Sequence, residues 1–143
     1  MKTAIVIFIA LAATAYVFFI MMQPDDPQYT YLNGANKLLS EYQIYSEKME
    51  QALKAKSLQE LVVRKKELEA IADGWAKLQP TPTLRGAHDL MLEALSDDGK
   101  SLELVLEGIK NRDNTKIKKA IEISDQVAVK IKQATEEFKR LAN

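Results

Sequence analysis

The chain of 143 residues has room, beyond an apolar N-terminal run, for one domain of about 115 residues, which would bury roughly two thirds of its unfolded surface; a second folded domain does not fit. Twenty basic and twenty acidic side chains cancel, so no overall field steers the protein toward nucleic acid or an anionic surface, and any partner is recognised locally. The absence of cysteine excludes disulfides, thiol catalysis, cysteine zinc sites and a lipidated cysteine.

Forty-seven percent hydrophobic residues, with five Gly, four Pro and long stretches rich in Ala, Leu, Lys and Glu, indicate packed helices. The expected fold class is all-α: an N-terminal transmembrane helix over residues 1–22, a linker over 23–28, and an up-down four-helix bundle over 29–143.

Thr3 to Met22 is a run of twenty residues without a charge. As a helix rising ~1.5 Å per residue it reaches ~30 Å, the thickness of a bilayer core, so it reads as one spanning segment. The competing reading is a secretory signal. Lys2 supplies a short basic start and Ala13-Thr14-Ala15 has the small residues of a cleavage site. Cutting there would leave Tyr16 to Met22 as an exposed apolar stub, which favours the anchor. Lys2 on one side, with Asp25 and Asp26 on the other, orients the C-terminal domain out of the cytoplasm. Ala10 and Thr14 have the spacing that lets two membrane helices approach, so a homo-oligomer is open, although an ordinary alanine-containing span explains them as well. Tyr29 and Tyr31 either sit at headgroup level or begin the bundle.

Apolar residues at Leu32, Ala35, Leu38, Leu39, Tyr42, Tyr45, Met49, Ala52 and Leu53 alternate steps of three and four, predicting a first helix with Asn33-Gly34 at its frayed start. Ser57-Leu58-Gln59-Glu60 is a capping box that opens a second helix, with a stripe from Leu58 through Leu68 and Trp75 to Leu78. Pro80 ends it, since proline lacks the amide and disfavours helix in the residue before it. Thr81 or Thr83 is the expected cap of a third helix, whose stripe takes in Leu84, His88, Met91, Leu95, Asp98, Leu102, Val105 and Ile109. Asp97-Asp98-Gly99 is expected to bend or break it. After the polar gap Asn111 to Asn114, a fourth stripe runs from Ile117 through Val127 and Ile131 to Phe138 and Leu141. Leu84 to Lys110 carries three basic and six acidic residues, and Thr115 to Asn143 seven and four, which favours pairing of the last two helices.

The residues Trp75, Leu78, Pro80, Leu84 and His88, followed by an acidic-apolar helix, resemble a pattern in small cell-envelope helical-bundle proteins of Gram-positive bacteria, many of them lipoproteins. The resemblance implies an envelope location over about residues 29 to 142, with the apolar run replacing the lipid as anchor. It carries over no catalytic residues.

Chemistry finds little to use. His88 is the single histidine, so zinc-peptidase and di-iron motifs are missing, and no glycine-flanked serine elbow accompanies it. Asp97-Asp98-Gly99 lacks the alternating oxygen ligands of a calcium loop. The expectation is therefore no catalytic residue, no metal and no cofactor. Arg64-Lys65-Lys66 sits among Glu60, Glu67 and Glu69 and reads as a solvated helix face.

Two functions remain. In the first, a membrane-anchored, non-catalytic interaction or accessory module presents a helical face to another membrane or envelope protein, with the lipid bilayer as its second partner and no nucleic acid. It requires an exposed apolar patch. In the second, a cavity near Trp75, His88, Tyr42 and Tyr45 holds a small molecule, which requires a void between helices. Against that stands the plainer reading of His88 as a hydrogen-bonded histidine tying the proline connector to the bundle, and of Trp75 as core. An elongated coiled-coil rod is disfavoured because Pro80 and Pro82 fold the chain back.

Overall fold

The structure, a computed structural model, describes residue 18 and residues 20–143. Four helices follow in order: α1 (Pro27–Lys54), α2 (Leu58–Lys77), α3 (Arg85–Asn111) and α4 (Asn114–Ala142). Short connections make each helix antiparallel to the next, α4 closes back on α1, and α1 and α3 run parallel across the diagonal. The all-α bundle is thus present. Among the described residues no helix is long and apolar enough to cross a membrane.

The first helix starts earlier than its stripe suggests. Asp26 caps it by accepting from the Gln28 amide at 2.9 Å, and Pro27 fills a position where a missing amide costs nothing. The expected linker therefore ends at Asp26. Asn33-Gly34 is helix interior, and Gly34 is there for packing: a Cβ would stand 2.8 Å from Leu78 Cδ2. Tyr31 belongs to the bundle, fully buried.

Ser57 accepts from the Glu60 amide at 3.2 Å, which is half of the expected capping box. The reciprocal half is not made, because the Ser57 amide donates to the Ala52 carbonyl and the Glu60 carboxylate lies toward Arg64 instead. Lys56 takes a left-handed φ of 52° to turn the chain between α1 and α2.

Neither threonine caps α3. Thr81 and Thr83 bond each other, Thr83 donates to the Gln28 side chain, and Leu84 takes the cap position with no side-chain bond. Nor does Asp97-Asp98-Gly99 interrupt α3, which runs unbroken through it because Asp98 finds a partner inside the bundle. A Cβ at Gly99 would meet nothing within 4 Å. We therefore expect Gly99→Ala to raise stability by about 0.5–1 kcal/mol, read as a higher urea midpoint with an unchanged slope. A lower midpoint would mean that α3 needs the glycine.

The tightest seam joins α3 and α4. Arg112, at φ 54°, ends α3, and Asp113 starts α4 by accepting from the amides of Thr115 and Lys116. Small residues let the backbones close: a Cβ at Gly108 would lie 2.6 Å from Ile117 Cδ1 and 3.1 Å from the Asp113 carbonyl oxygen. Ser101 Oγ donates to the Ala120 carbonyl at 2.8 Å and meets Ser124 Oγ at 2.8 Å. Across the outside of the seam Lys130 bridges Glu93 at 2.8 Å and Asp97 at 2.6 Å, and Lys116 pairs with Glu107, as the opposite charges of the two helices require.

Most of the expected span, Thr3 to Val17, lies outside the described residues, as do Ala10 and Thr14. Its described end, Phe18 and Ile20 to Met22, is not helical: Phe18, Ile20 and Met22 lie against the bundle, with the Phe18 ring buried. The four described residues of the expected span are therefore not part of a helix. The reason is that Phe18, Ile20 and Met22 find apolar cover on the bundle itself.

Candidate functional site

The four residues singled out by sequence fall into two buried groups. Trp75 and His88 meet at the end of the bundle where α1 and α3 begin and α2 and α4 finish, with ring centroids 6.4 Å apart. Phe138 is the hub of this group. It stacks on Trp75 at 5.8 Å, meets Tyr31 at 5.9 Å and receives Phe18 at 6.3 Å. Tyr42 and Tyr45 lie about three turns away along α1, 5.5 Å from each other.

Two hydroxyls on α1 reach across the diagonal to α3. Tyr31 Oη meets His88 Nδ1 at 2.8 Å, and Tyr42 donates to Asp98 Oδ2 at 2.7 Å. His88 thus ties α1 to α3, whereas the sequence suggested a tie to the proline connector. Burial holds its imidazole below the ordinary histidine range; Arg85 lowers it further, and Asp89 partly offsets both.

Asp98 is the strongest electrostatic feature. It is buried, its Oδ1 has no hydrogen-bond partner among the described groups, and burial pushes its pKa up to about 6, against the smaller lowering effect of the Tyr42 bond. Burial and the nearby Asp98 and Glu67 push the Tyr45 phenol well above its usual range, with Arg64 opposing. Arg64 itself departs from the expected solvated face: it is buried, 3.2 Å from Glu67 and 3.8 Å from Glu60.

Trp75 and Tyr42 have no accessible surface and His88 only 4 %, so no water-sized space adjoins the first two rings. The rings fill the interior with one another. Asp97 and Asp98, adjacent in sequence, point apart, one to Lys130 on the surface and the other into the core toward Tyr42. Among the described residues no group of three or more His, Cys, Asp or Glu side chains converges as a metal site.

The accessible feature lies outside the core, in the furrow between α1 and α2. Ile44, Tyr45, Ala70 and Ile71 line an open apolar groove of about 260 Å³, whose charged lining is Glu41 and, about two turns along, Lys48 of α1 paired across to Glu67 of α2 at 3.9 Å. A separate, more polar hollow lies beyond Lys48, lined by Gln51, Ala52, Ala55, Glu60 and Arg64. Ile44 is 51 % exposed, and Val63, also exposed, stands one helical turn before Glu67. Sequence periodicity missed this groove because Ile44 falls off the buried stripe. An isoleucine on a polar face was the one available signal. No known family model matches the chain, and no curated protein or solved structure matches it either.

Proposed function

We propose that the chain is a non-catalytic, extracytoplasmic interaction module. Its apolar N-terminal run carries it to a membrane, and the α1–α2 face of its bundle receives an amphipathic helix from another envelope protein. The observation that carries this reading is the groove around Ile44. From Glu41 to Lys48 the groove follows α1 for seven residue steps, ~10 Å, which matches about two turns of a partner helix. Its floor is apolar and its charged lining carries both signs, so the fitting partner has an apolar stripe with a basic residue placed to meet Glu41 and low net charge.

Lys2 before the apolar run and Asp25-Asp26 after it support the outward orientation. The resemblance around Trp75, Pro80 and His88 to Gram-positive envelope bundles points the same way. A small-molecule function around the ring cluster has less to rest on, since Trp75, His88 and Tyr42 are closed in by neighbouring side chains and Tyr45 adjoins only the open surface groove.

Native mass spectrometry of the C-terminally tagged chain, expressed in its own cells and isolated gently from whichever fraction holds it, tests the proposal when paired with Ile44→Asp. The expected result is a heavier species containing a second polypeptide, at least tenfold reduced in the variant. Because Ile44 is half exposed, the variant keeps its stability to within about 0.5 kcal/mol. A homodimer would replace the foreign helix by a second copy. A bare monomer, or a partner that the variant retains, sinks the groove as the interface.

A further inference from the structure

The apolar run ends on the bundle, of which Phe18, Ile20 and Met22 are part. The Asn36 side chain holds the Phe18 main chain from both sides, its Oδ1 accepting from the Phe18 amide and its Nδ2 donating to the Phe18 carbonyl, each at 2.9 Å. The Phe18 ring is 7 % exposed and stacks on Phe138. Three residues on, the Met21 amide donates to the Ala142 carbonyl at 2.9 Å, and Ile20 and Met22 pack against the core. This segment therefore satisfies one of the free carbonyls at the C-terminal end of α4.

Two consequences follow for the residues before it. With Phe18 committed to the bundle, the uncharged stretch available to a bilayer is Thr3 to Val17, fifteen residues, which as a helix reaches roughly 22 Å of the ~30 Å required. That length is short for an anchor and suits the apolar region of an export signal, which runs ~7–15 residues behind a basic start. The exposed apolar stub that argued against cleavage at Ala13-Thr14-Ala15 is also reduced, because Phe18 is buried and Ile20 and Met22 pack against the core, although Met21 is 64 % exposed.

We propose that the apolar run is a cleaved export signal and that the mature chain begins at Tyr16. A membrane-bound signal peptidase that accepts small side chains takes Ala13 and Ala15 and hydrolyses the Ala15–Tyr16 bond. The C–N bond breaks, water supplies the hydroxyl of the new Ala15 carboxyl group, and the Tyr16 nitrogen leaves as the new α-amine. Only Tyr16 and Val17 then separate the new terminus from the Asn36 clamp. The mature domain is thus released from the membrane with Phe18 already buried and Ile20 and Met22 packed against the core. This inference rests on the export half of the proposed function.

The test expresses the full chain with a C-terminal tag in an exporting bacterium. Intact mass, the amino-terminal residue and protease accessibility of the tag on whole cells are then measured. The expected product lacks residues 1–15, begins with Tyr16 and leaves the membrane fraction, while Ala15→Phe, which places a bulky side chain at the cleavage position, stays full-length and membrane-bound. A full-length wild-type chain in the membrane with its tag accessible from outside overturns cleavage and leaves export standing. A full-length chain whose tag is shielded overturns export itself, and a mature start at any other residue overturns the Tyr16 assignment.

Discussion

Replacing Phe138 by alanine is expected to cost about 3–5 kcal/mol, the largest loss of any single truncation in this bundle. The ring has no exposure and joins side chains from three parts of the chain: Trp75 of α2, Tyr31 of α1 and Phe18 of the docked N-terminal segment. Near the C-terminal end of α4 the surrounding rings are large and already held by other contacts, so they collapse little into the vacated space. Trp75 is the single tryptophan and stacks directly on Phe138, which makes its fluorescence a local report. Urea titration of the variant should show a lower midpoint with the same slope, together with a red-shifted native emission. A loss under 1 kcal/mol would mean that the end of the bundle is not organised around this ring.

The second large effect is in the pH dependence of stability, and Asp98 sets its sign. Its carboxyl rises from an ordinary 3.8 to about 6 on folding. Between about pH 4 and 6 the folded chain keeps a proton that the unfolded chain has lost, so stability falls as pH rises through that window and is level above it. The shift of about two units corresponds to roughly 3 kcal/mol. His88 acts in the opposite sense, because its lowered folded pKa makes acidification below the ordinary histidine range unfavourable. The variant Asp98→Asn separates the two. It retains an acceptor for the Tyr42 hydroxyl and removes the ionisation. The difference in unfolding free energy between variant and parent should therefore grow from near zero at pH 4 to about 2–3 kcal/mol in favour of the variant at pH 7. A difference that is flat with pH would show that Asp98 ionises as an ordinary carboxylate.

What could be read from the sequence follows a physical division. The four stripes located the helices because burial on one face imposes the 3.6-residue period, and His88, Asp98, Trp75 and Phe138 were all placed on buried faces by that rule. Periodicity reports which face is covered, but it does not report by what. The pairing of Tyr31 with His88 and of Tyr42 with Asp98 joins residues 57 and 56 positions apart, and no local pattern carries it. The same limit explains Phe18. Hydropathy counts apolar surface that must leave water, and lipid and a protein core satisfy that demand equally, so the run to Met22 read as one span. The cap of α3 failed for a different reason, whereas Ser57 does open α2 and α2 does stop before Pro80. Thr81 and Thr83 have the right chemistry for a cap, but they spend their hydroxyls on each other and on Gln28.

The two tyrosine bonds also act together as a register key. Tyr31 and Tyr42 are eleven residues apart on α1, His88 and Asp98 ten apart on the parallel helix α3, so one axial alignment serves both hydroxyls. Sliding α1 by a single turn, ~5.4 Å, breaks both at once and leaves an imidazole and a carboxyl unpartnered in the interior. At about 1–3 kcal/mol for each stranded group, the displaced arrangement forfeits about 2–6 kcal/mol, a large part of the 5–15 kcal/mol by which domains are ordinarily stable. Apolar stripes alone tolerate such a slip, since one leucine replaces another. In this chain the polar groups buried within the stripes make one alignment of the helices much better than its neighbours.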